Sequence, residues 1–267
     1  MKLEDQRVLV TGAAGGIGRE LCVKLAQRGA RLCMMARSTG SIATLREQFP
    51  NGGSDALVLQ ADVTDRAARR TALRAMFAAY GGVDVLVNLA GVLDFRLFTE
   101  ADADRISELL RVNLDAPMQL VREVLPSMVA RGAGSIVNIG STFGSIAFPG
   151  FAAYSASKFA LRGFSQALRR ELADTGVTVT YVAPRAVHTP FNPPAVRSMA
   201  AEGMMRMDQP AWVADRIVRA IERDKDEVYL GFPERFFSRV NALLPRVVDR
   251  ALRRTMPRVA GFARRDA

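Results

Sequence analysis

The segment RVLVTGAAGGIGRE, residues 7–20, restricts the possible folds more than any other stretch of the chain. An extended apolar run leads directly into Gly12, Gly16 and Gly18, and a helical pattern begins near Ile17. Strand, glycine turn and helix in immediate succession open a βαβ unit. There glycine permits the tight turn, lets backbone approach a pyrophosphate, and allows close packing of helix on strand. The helix N-terminus then presents free N–H groups to phosphate. A dinucleotide is the expected ligand of this segment.

The rest of the chain repeats the unit. Apolar runs at 7–11, 30–36, 56–60, 84–88, 135–140, 177–182 and 227–230 alternate with longer helical patterns, as successive βαβ units around a parallel sheet require. The runs are nearly continuous in Val, Leu and Ile, which suits strands covered on both faces. The expected fold class is α/β, a doubly wound Rossmann-type parallel sheet with helices on both faces, as one domain with a C-terminal helical extension. A chain of 267 residues, 49% apolar and 24% charged, can bury such a core. The expected division is a dinucleotide-binding catalytic domain over 1–231 and a basic amphipathic helical extension over 232–267. Within the first, residues 189–210 carry four prolines and four methionines and read as a lid.

At the end of the second strand, where an acid would receive the ribose hydroxyls of NAD, stand Ala36 and Arg37. A guanidinium there suits a 2′-phosphate, so NADP (NADPH) is expected in preference to NAD. Asp62 and the backbone of Val63, after the third strand, fit the adenine edge, although Asp62 equally fits a helix cap beside Thr64 and Asp65. Two cysteines and one histidine without metal-ligand spacing support no metal site. The N-terminus shows no secretory signal, and the charge-free stretch from Gly132 to Ser157 is broken by Asn, Pro, Gly and Ser. A cytoplasmic protein is expected.

Within GFAAYSASKFAL, Tyr154 and Lys158 lie four residues apart, hence on one face of a helix. Together with the glycine loop, NLAG (88–91), VNLD (112–115), GS (140–141) and YSASK (154–158) follow in order. With these motifs the chain, over about residues 5–231, resembles the short-chain dehydrogenase/reductase family. The resemblance implies Tyr154 as proton donor to a carbonyl oxygen that receives hydride, and Ser141, thirteen residues upstream, as the hydroxyl that orients it. It also implies Lys158 as the charge that favours phenolate and binds the nicotinamide ribose, and Asn113 as holder of a relay water. Lowering a phenol by about three units needs roughly 4 kcal/mol of differential interaction. The implied cofactor site comprises Gly12, Ala14, Gly16, Ile17, Gly18, Arg37, Asp62, Val63, Asn88, Ala90, Gly91, Tyr154, Lys158, Pro184, Val187 and Thr189.

Two departures stand out. Leu89 replaces a frequent second asparagine, and Pro184-Arg185 replaces the usual Pro-Gly. Arg185 either meets an acidic substrate group or points to solvent. His188, the one histidine, has no part in the expected chemistry. A Ser-His-Asp hydrolase is disfavoured because no G-x-S-x-G elbow occurs. Phe143, Ile146, Phe148, Phe151, Phe191, Met204 and Met205 are candidate pocket walls, pointing to a lipophilic ketone, aldehyde or secondary alcohol. The alternatives are a 3-oxoacyl thioester (carrier protein) reductase and, outside enzymes, a cofactor-binding sensor.

The net charge of +10 is concentrated in the tail, where residues 232–267 hold nine arginines and three acids. Phe236, Val240, Leu243, Val247 and Ala251 share a helical stripe, with Phe237, Leu244, Val248 and Leu252 beside them, while Arg235, Arg239, Arg246, Arg250 and Arg253 line the other side, and Pro245 is expected to divide two helices. Nucleic acid is not an expected partner, since no reader motif accompanies the charge. The extension either lies on an anionic membrane as a peripheral contact or packs on protein, and packing is the favoured reading. A homo-oligomer, dimer or tetramer, is expected.

Overall fold

The computed structural model describes residues 1–38, 40–53 and 55–264. Each apolar run forms a strand of one parallel sheet: β1 (Arg7–Thr11), β2 (Arg31–Ala36), β3 (Leu57–Gln60), β4 (Val85–Asn88), β5 (Gly134–Ile139), β6 (Val177–Ala183) and, at the edge, Glu227–Tyr229. Two short intervening strands, β7 (Ala186–Val187) and β8 (Met207–Asp208), pair with each other, which makes the edge strand β9. The spatial order is β3-β2-β1-β4-β5-β6-β9. The order in which strands are added changes side between β1 and β4, with all strands still parallel, and in open α/β sheets ligands bind at that switch point.

Period-2 alternation sends successive residues to opposite faces. Val8 and Val10 pack toward α1 (Gly16–Ala26), α2 (Gly40–Arg46) and α8 (Pro210–Glu222). Leu9 faces α3 (Arg66–Tyr80), α5 (Ala116–Arg131) and α6 (Ala152–Glu171). Helices therefore cover both faces, as continuous apolar strands require. Cys22 and Cys33 are free and buried in these two separate layers.

Before α5, α4 (Ala103–Leu110) runs through a five-residue π-helical turn, Arg111–Asp115. A third apolar cluster joins Phe95, Phe151 and Tyr154 to α7 (Pro194–Ala201) and to Val259, Phe262 and Ala263 from the end of the chain. Among the described residues, the chain's end forms three helices rather than the two expected: α9 (Glu234–Leu243), α10 (Pro245–Arg253) and α11 (Met256–Ala263). Pro245 does mark a break, at Leu244, because a proline at a helix start lacks the N–H that would continue the preceding ladder. A second break precedes Pro257 at the start of α11. Residues 265–267 of the extension lie outside the described residues.

Arg185 lines the cavity rather than pointing to solvent, and it is held by ion pairs within the protein. Its Nε and Nη2 donate to the two carboxylate oxygens of Asp208 at 2.9 and 2.7 Å, and Nη1 donates to Glu234 at 3.1 Å. The guanidinium thus ties the loop after β6 to β8 and to the start of α9. Its side chain is 15% exposed, so removing it strands two carboxylates away from full solvation. Arg185→Ala is expected to cost roughly 3 kcal/mol, a fall of about 6–12 °C in Tm, measurable by calorimetry. An unchanged Tm would show the ion pairs to be marginal.

Candidate active site

A cavity of about 570 Å³ opens at the C-terminal ends of β1, β4 and β5, within the range of ligand pockets. One end is built by the glycine turn. Gly12 has φ +69°, and a Cβ on Gly18 would lie 2.2 Å from the Gly12 carbonyl oxygen, so side chains are excluded at both positions. No side chain caps α1 at Gly15, which leaves its first N–H groups as donors to an anion. Thr189 closes over the turn, its methyl 2.4 Å from where a Gly16 Cβ would stand.

At the rim, Arg37 is exposed after β2 and lines the cavity with Asp62. The helix cap that Asp62 might have supplied is Asp65, which accepts from the N–H groups of Ala67 and Ala68. Asp62 Oδ1 instead accepts from Thr64 N at 2.8 Å and Thr64 Oγ1 at 2.7 Å. The Thr64 N–H holds the carboxyl below its ordinary range, helped by the charges of Arg37 and Arg111. Arg111, just before the VNLD motif, also lines the cavity. Sequence reasoning passed over it, although its position beside that motif was visible.

The opposite end holds Ser141, Tyr154 and Lys158 together. Ser141 begins a single 3₁₀ turn, its Oγ accepting from Phe143 N at 3.1 Å. Tyr154 and Lys158 project from the first turns of α6, and all three side chains are buried, between 4% and 8% exposed. Lys158 Nζ donates to the Ile139 carbonyl at 3.1 Å and lies 5.7 Å from the Tyr154 ring centroid. Burial pushes the Tyr154 phenol up to about 12, against a smaller downward pull from its hydrogen bond with Ser141. Burial draws Lys158 down to about 8.

The depression expected from Lys158 together with a bound nucleotide's charge has, in the protein alone, burial working against it. Desolvation of the phenol outweighs the nearby ammonium, one of whose three N–H groups goes to the Ile139 carbonyl. At neutral pH the tyrosine keeps its proton and the lysine its charge. Because the folded protein holds Lys158 below its ordinary 10.5, the unfolded chain binds the extra proton between about pH 8 and 10.5, and this group's contribution to stability rises with pH across that window. The rise is on the order of 3 kcal/mol. Urea midpoints should increase from pH 7.5 to 9.5 more in the natural protein than in Lys158→Met. Parallel curves would show that Lys158 is not depressed.

Every other expected cofactor residue lines the cavity except Asn88. Asn88 sits behind the wall, its Nδ2 donating to Asn138 Oδ1 at 2.9 Å, and Asn138 Nδ2 donates to Ser165 Oγ at 2.9 Å. It joins β4, β5 and α6. Asn113 is likewise behind the lining, carried by the π-helical turn. Its amide exchanges two hydrogen bonds with the Val92 backbone, both 2.9 Å, and donates to Ser157 Oγ at 3.1 Å. A methyl on Gly91 would lie 3.2 Å from Asn113 Oδ1 and 3.8 Å from Lys158 Nζ, so both atoms face the same Cα.

Sequence reasoning also missed Tyr181. Its hydroxyl donates to Ser141 O at 3.3 Å and accepts from Ser141 N at 3.4 Å, beneath the strand end that carries the serine. A Cβ on Gly140 would stand 2.1 Å from the Tyr181 ring. The signal was a lone aromatic in the run VTVTYV, whose meaning depended on Gly140 across the sheet.

Of the apolar wall candidates, Phe143, Phe151, Phe191 and Met205 line the cavity with Val92, Leu93 and Val196. Phe148 and Met204 pack on the third apolar cluster instead, and Ile146 is half-buried outside the lining. His188 is exposed and is not part of the wall.

A doubly wound sheet whose switch-point cavity joins a glycine-turn anion site to a buried Ser-Tyr-Lys group has the build of a nicotinamide-dependent oxidoreductase. The sequence model of the short chain dehydrogenase family matches residues 6–200, and the chain belongs to that family. A 3-oxoacyl-(acyl-carrier-protein) reductase, FabG of Salmonella typhimurium, is 35% identical over 189 residues, which are 71% of this chain and 76% of that protein. A short-chain dehydrogenase of Streptomyces avermitilis superimposes with a TM-score of 0.81 at 29% identity, covering 96% of this chain and 99% of that one. A gluconate 5-dehydrogenase of Burkholderia cenocepacia, solved with NADP and tartrate, does so with a TM-score of 0.77 at 28% identity, over 86% and 95%. The protein is thus an enzyme acting on CH–OH or C=O groups with a nicotinamide dinucleotide, rather than a cofactor sensor.

Proposed function

We propose that this protein uses NADPH to reduce a ketone or aldehyde on a lipophilic molecule, or oxidises the corresponding secondary alcohol. The observation that carries this reading is the polarity of this cavity. Arg37 and the uncapped α1 terminus stand at one end, and a proton-bearing Tyr154 ringed by Phe143, Phe151 and Phe191 stands at the other.

The residues fit the cofactor on these grounds. Gly12, Ala14, Gly16, Ile17 and Gly18 would hold the pyrophosphate, Arg37 the 2′-phosphate, and Asp62 and Val63 the adenine. Ala90, Gly91, Pro184, Val187 and Thr189 would hold the nicotinamide half, with Lys158 on its ribose. The bound nucleotide supplies hydride. Tyr154 Oη gives its proton to the substrate oxygen, and Ser141 Oγ donates a hydrogen bond to the same oxygen as charge develops there. Asn113, held rigid by Val92, orients a water that returns a proton through Lys158. Residues 189–210 act as the lid, since Thr189, Phe191, Val196 and Met205 all form wall. Domain 1–231 carries this chemistry, and 232–267 is accessory to it. The working form is a cytoplasmic homo-oligomer, a reading supported by exposed Leu110, Met118 and Val129 on α4 and α5.

The test is turnover of medium-chain to bulky ketones, aldehydes and alcohols with each of the four nicotinamide nucleotides. Reduction of lipophilic carbonyls with NADPH, at higher kcat/KM than with NADH, is expected. Preference for NADH, or turnover restricted to small polar polyols, would overturn it. A 3-oxoacyl thioester reductase remains the second reading because of the likeness to FabG. Turnover confined to carrier-linked substrate would favour it.

A further inference from the structure

We propose that α9 and α10 form a docking surface for an anionic lipid bilayer, held rigidly against the substrate end of the catalytic cavity. The inference does not depend on which substrate or nucleotide the enzyme uses.

The inner side of the two helices is bound to the protein. Ser238 and Val248 are buried, Asn241 Nδ2 donates to the Ser145 carbonyl at 2.8 Å, and Glu234 is held by Arg185. Beyond them, α11 is anchored by Val259 and Phe262, and Val259 Cγ1 lies 3.3 Å from where a Gly150 Cβ would stand, next to the cavity residue Phe151. At 100° per residue, Phe236 and Leu243 fall opposite Ser238 on α9, and Arg246, Arg250 and Arg253 fall opposite Val248 on α10. The outward side is therefore an apolar ridge beside a row of arginines.

The ridge is unusually bare. Phe236 is 56% exposed, Leu243 80%, Leu244 58% and Val247 56%, and Phe232 just before α9 is 73% exposed. The described part of the extension offers two acids to balance its arginines. One of them, Glu234, is already engaged by Arg185. Among possible occupants, a second copy is disfavoured. A two-fold contact brings the patch together with a second copy of itself, so the arginines of both copies would share one interface with one free acid, Asp249, per copy among the described residues. A nucleic acid would neutralise the arginines and leave the phenylalanines in water. Lipid headgroups with acyl chains beneath answer both halves of the surface at once. Among the described residues no helix is long and apolar enough to cross a membrane, so the contact is one of lying on the surface.

The test is co-sedimentation of the full-length protein with phosphatidylcholine vesicles and with vesicles containing 30% phosphatidylglycerol, at about 0.1 and 0.5 M NaCl. Partitioning at least about tenfold stronger to the anionic vesicles, and weakened at the higher salt, is expected. The double variant Phe236→Ser/Leu243→Ser should bind at least about tenfold more weakly, with Tm unchanged because both side chains already face solvent. Arg246→Gln/Arg250→Gln should lose roughly fivefold per arginine and most of the salt dependence. No vesicle binding, equal binding to neutral vesicles, or binding undiminished in both variants would overturn the proposal. So would concentration-dependent self-association abolished by the serine variant in the absence of vesicle binding, which would assign the ridge to a second copy. None of these readouts uses turnover, so their outcome is separate from that of the proposed reaction.

Discussion

Tyr154→Phe is expected to lower kcat by roughly 10²–10⁴-fold while leaving the dissociation constant of NADPH within about threefold of its natural value. The substitution removes one oxygen and little else. The ring is held edge-on by Phe143 at 6.4 Å and by Phe151 at 6.5 Å, and phenylalanine preserves both contacts. Ser141 Oγ loses one partner but continues to accept from Phe143 N, so the serine stays in place. Loss of the proton donor should then appear as a slower chemical step, visible in single-turnover reduction, without a fall in Tm. Because burial already holds the phenol up to about 12, the natural enzyme's reduction rate should not fall through deprotonation of this residue between pH 6 and about 9. A variant retaining a third or more of natural turnover would remove Tyr154 from the chemistry.

The second large effect is expected at the far end of the cavity. Arg37→Ala should weaken NADPH roughly 10- to 100-fold, the worth of a charge-assisted hydrogen bond to a phosphate dianion, and change NADH by less than about threefold. Arg37 is exposed and fully available to such a group, and its neighbour Ala36 offers no carboxylate to the ribose hydroxyls. Arg111 remains nearby as a second positive charge acting on Asp62, so a residual preference for NADPH should persist and disappear only in the Arg37→Ala/Arg111→Ala pair. Isothermal titration with both nucleotides measures this directly. Equal losses for the two would make Arg37 a structural residue at the end of β2.

The site was readable from sequence to different depths in its different parts. The glycine turn was legible because a strand, a left-handed glycine and a helix start are demands of a dozen consecutive residues. Tyr154 and Lys158 were legible as a pair because four residues on a helix is one turn. Asn88 was placed at the cofactor by its motif, yet it belongs to a buried amide chain with Asn138 and Ser165, 50 and 77 residues further along the chain. The apolar walls were half right for a similar reason: Phe143 and Phe148 are five residues apart, and only the turn between them decides which faces the cavity.

The sequence by itself determined the parallel sheet, the helices on both faces, the position of the dinucleotide turn and the set of titratable groups available for chemistry. All of these follow from periodicity and backbone conformation within short windows. Tertiary structure alone decided that Arg185 is tied to Asp208 and Glu234, that Tyr181 props Ser141, that Asn113 grips Val92, and that α11 packs behind the cavity wall while α9 and α10 keep an apolar ridge in solvent. It also set the burial that raises the Tyr154 phenol and lowers Lys158. Each of these depends on which distant segments meet and how much water they exclude, and desolvation is a property of the assembled fold that no local stretch of sequence carries.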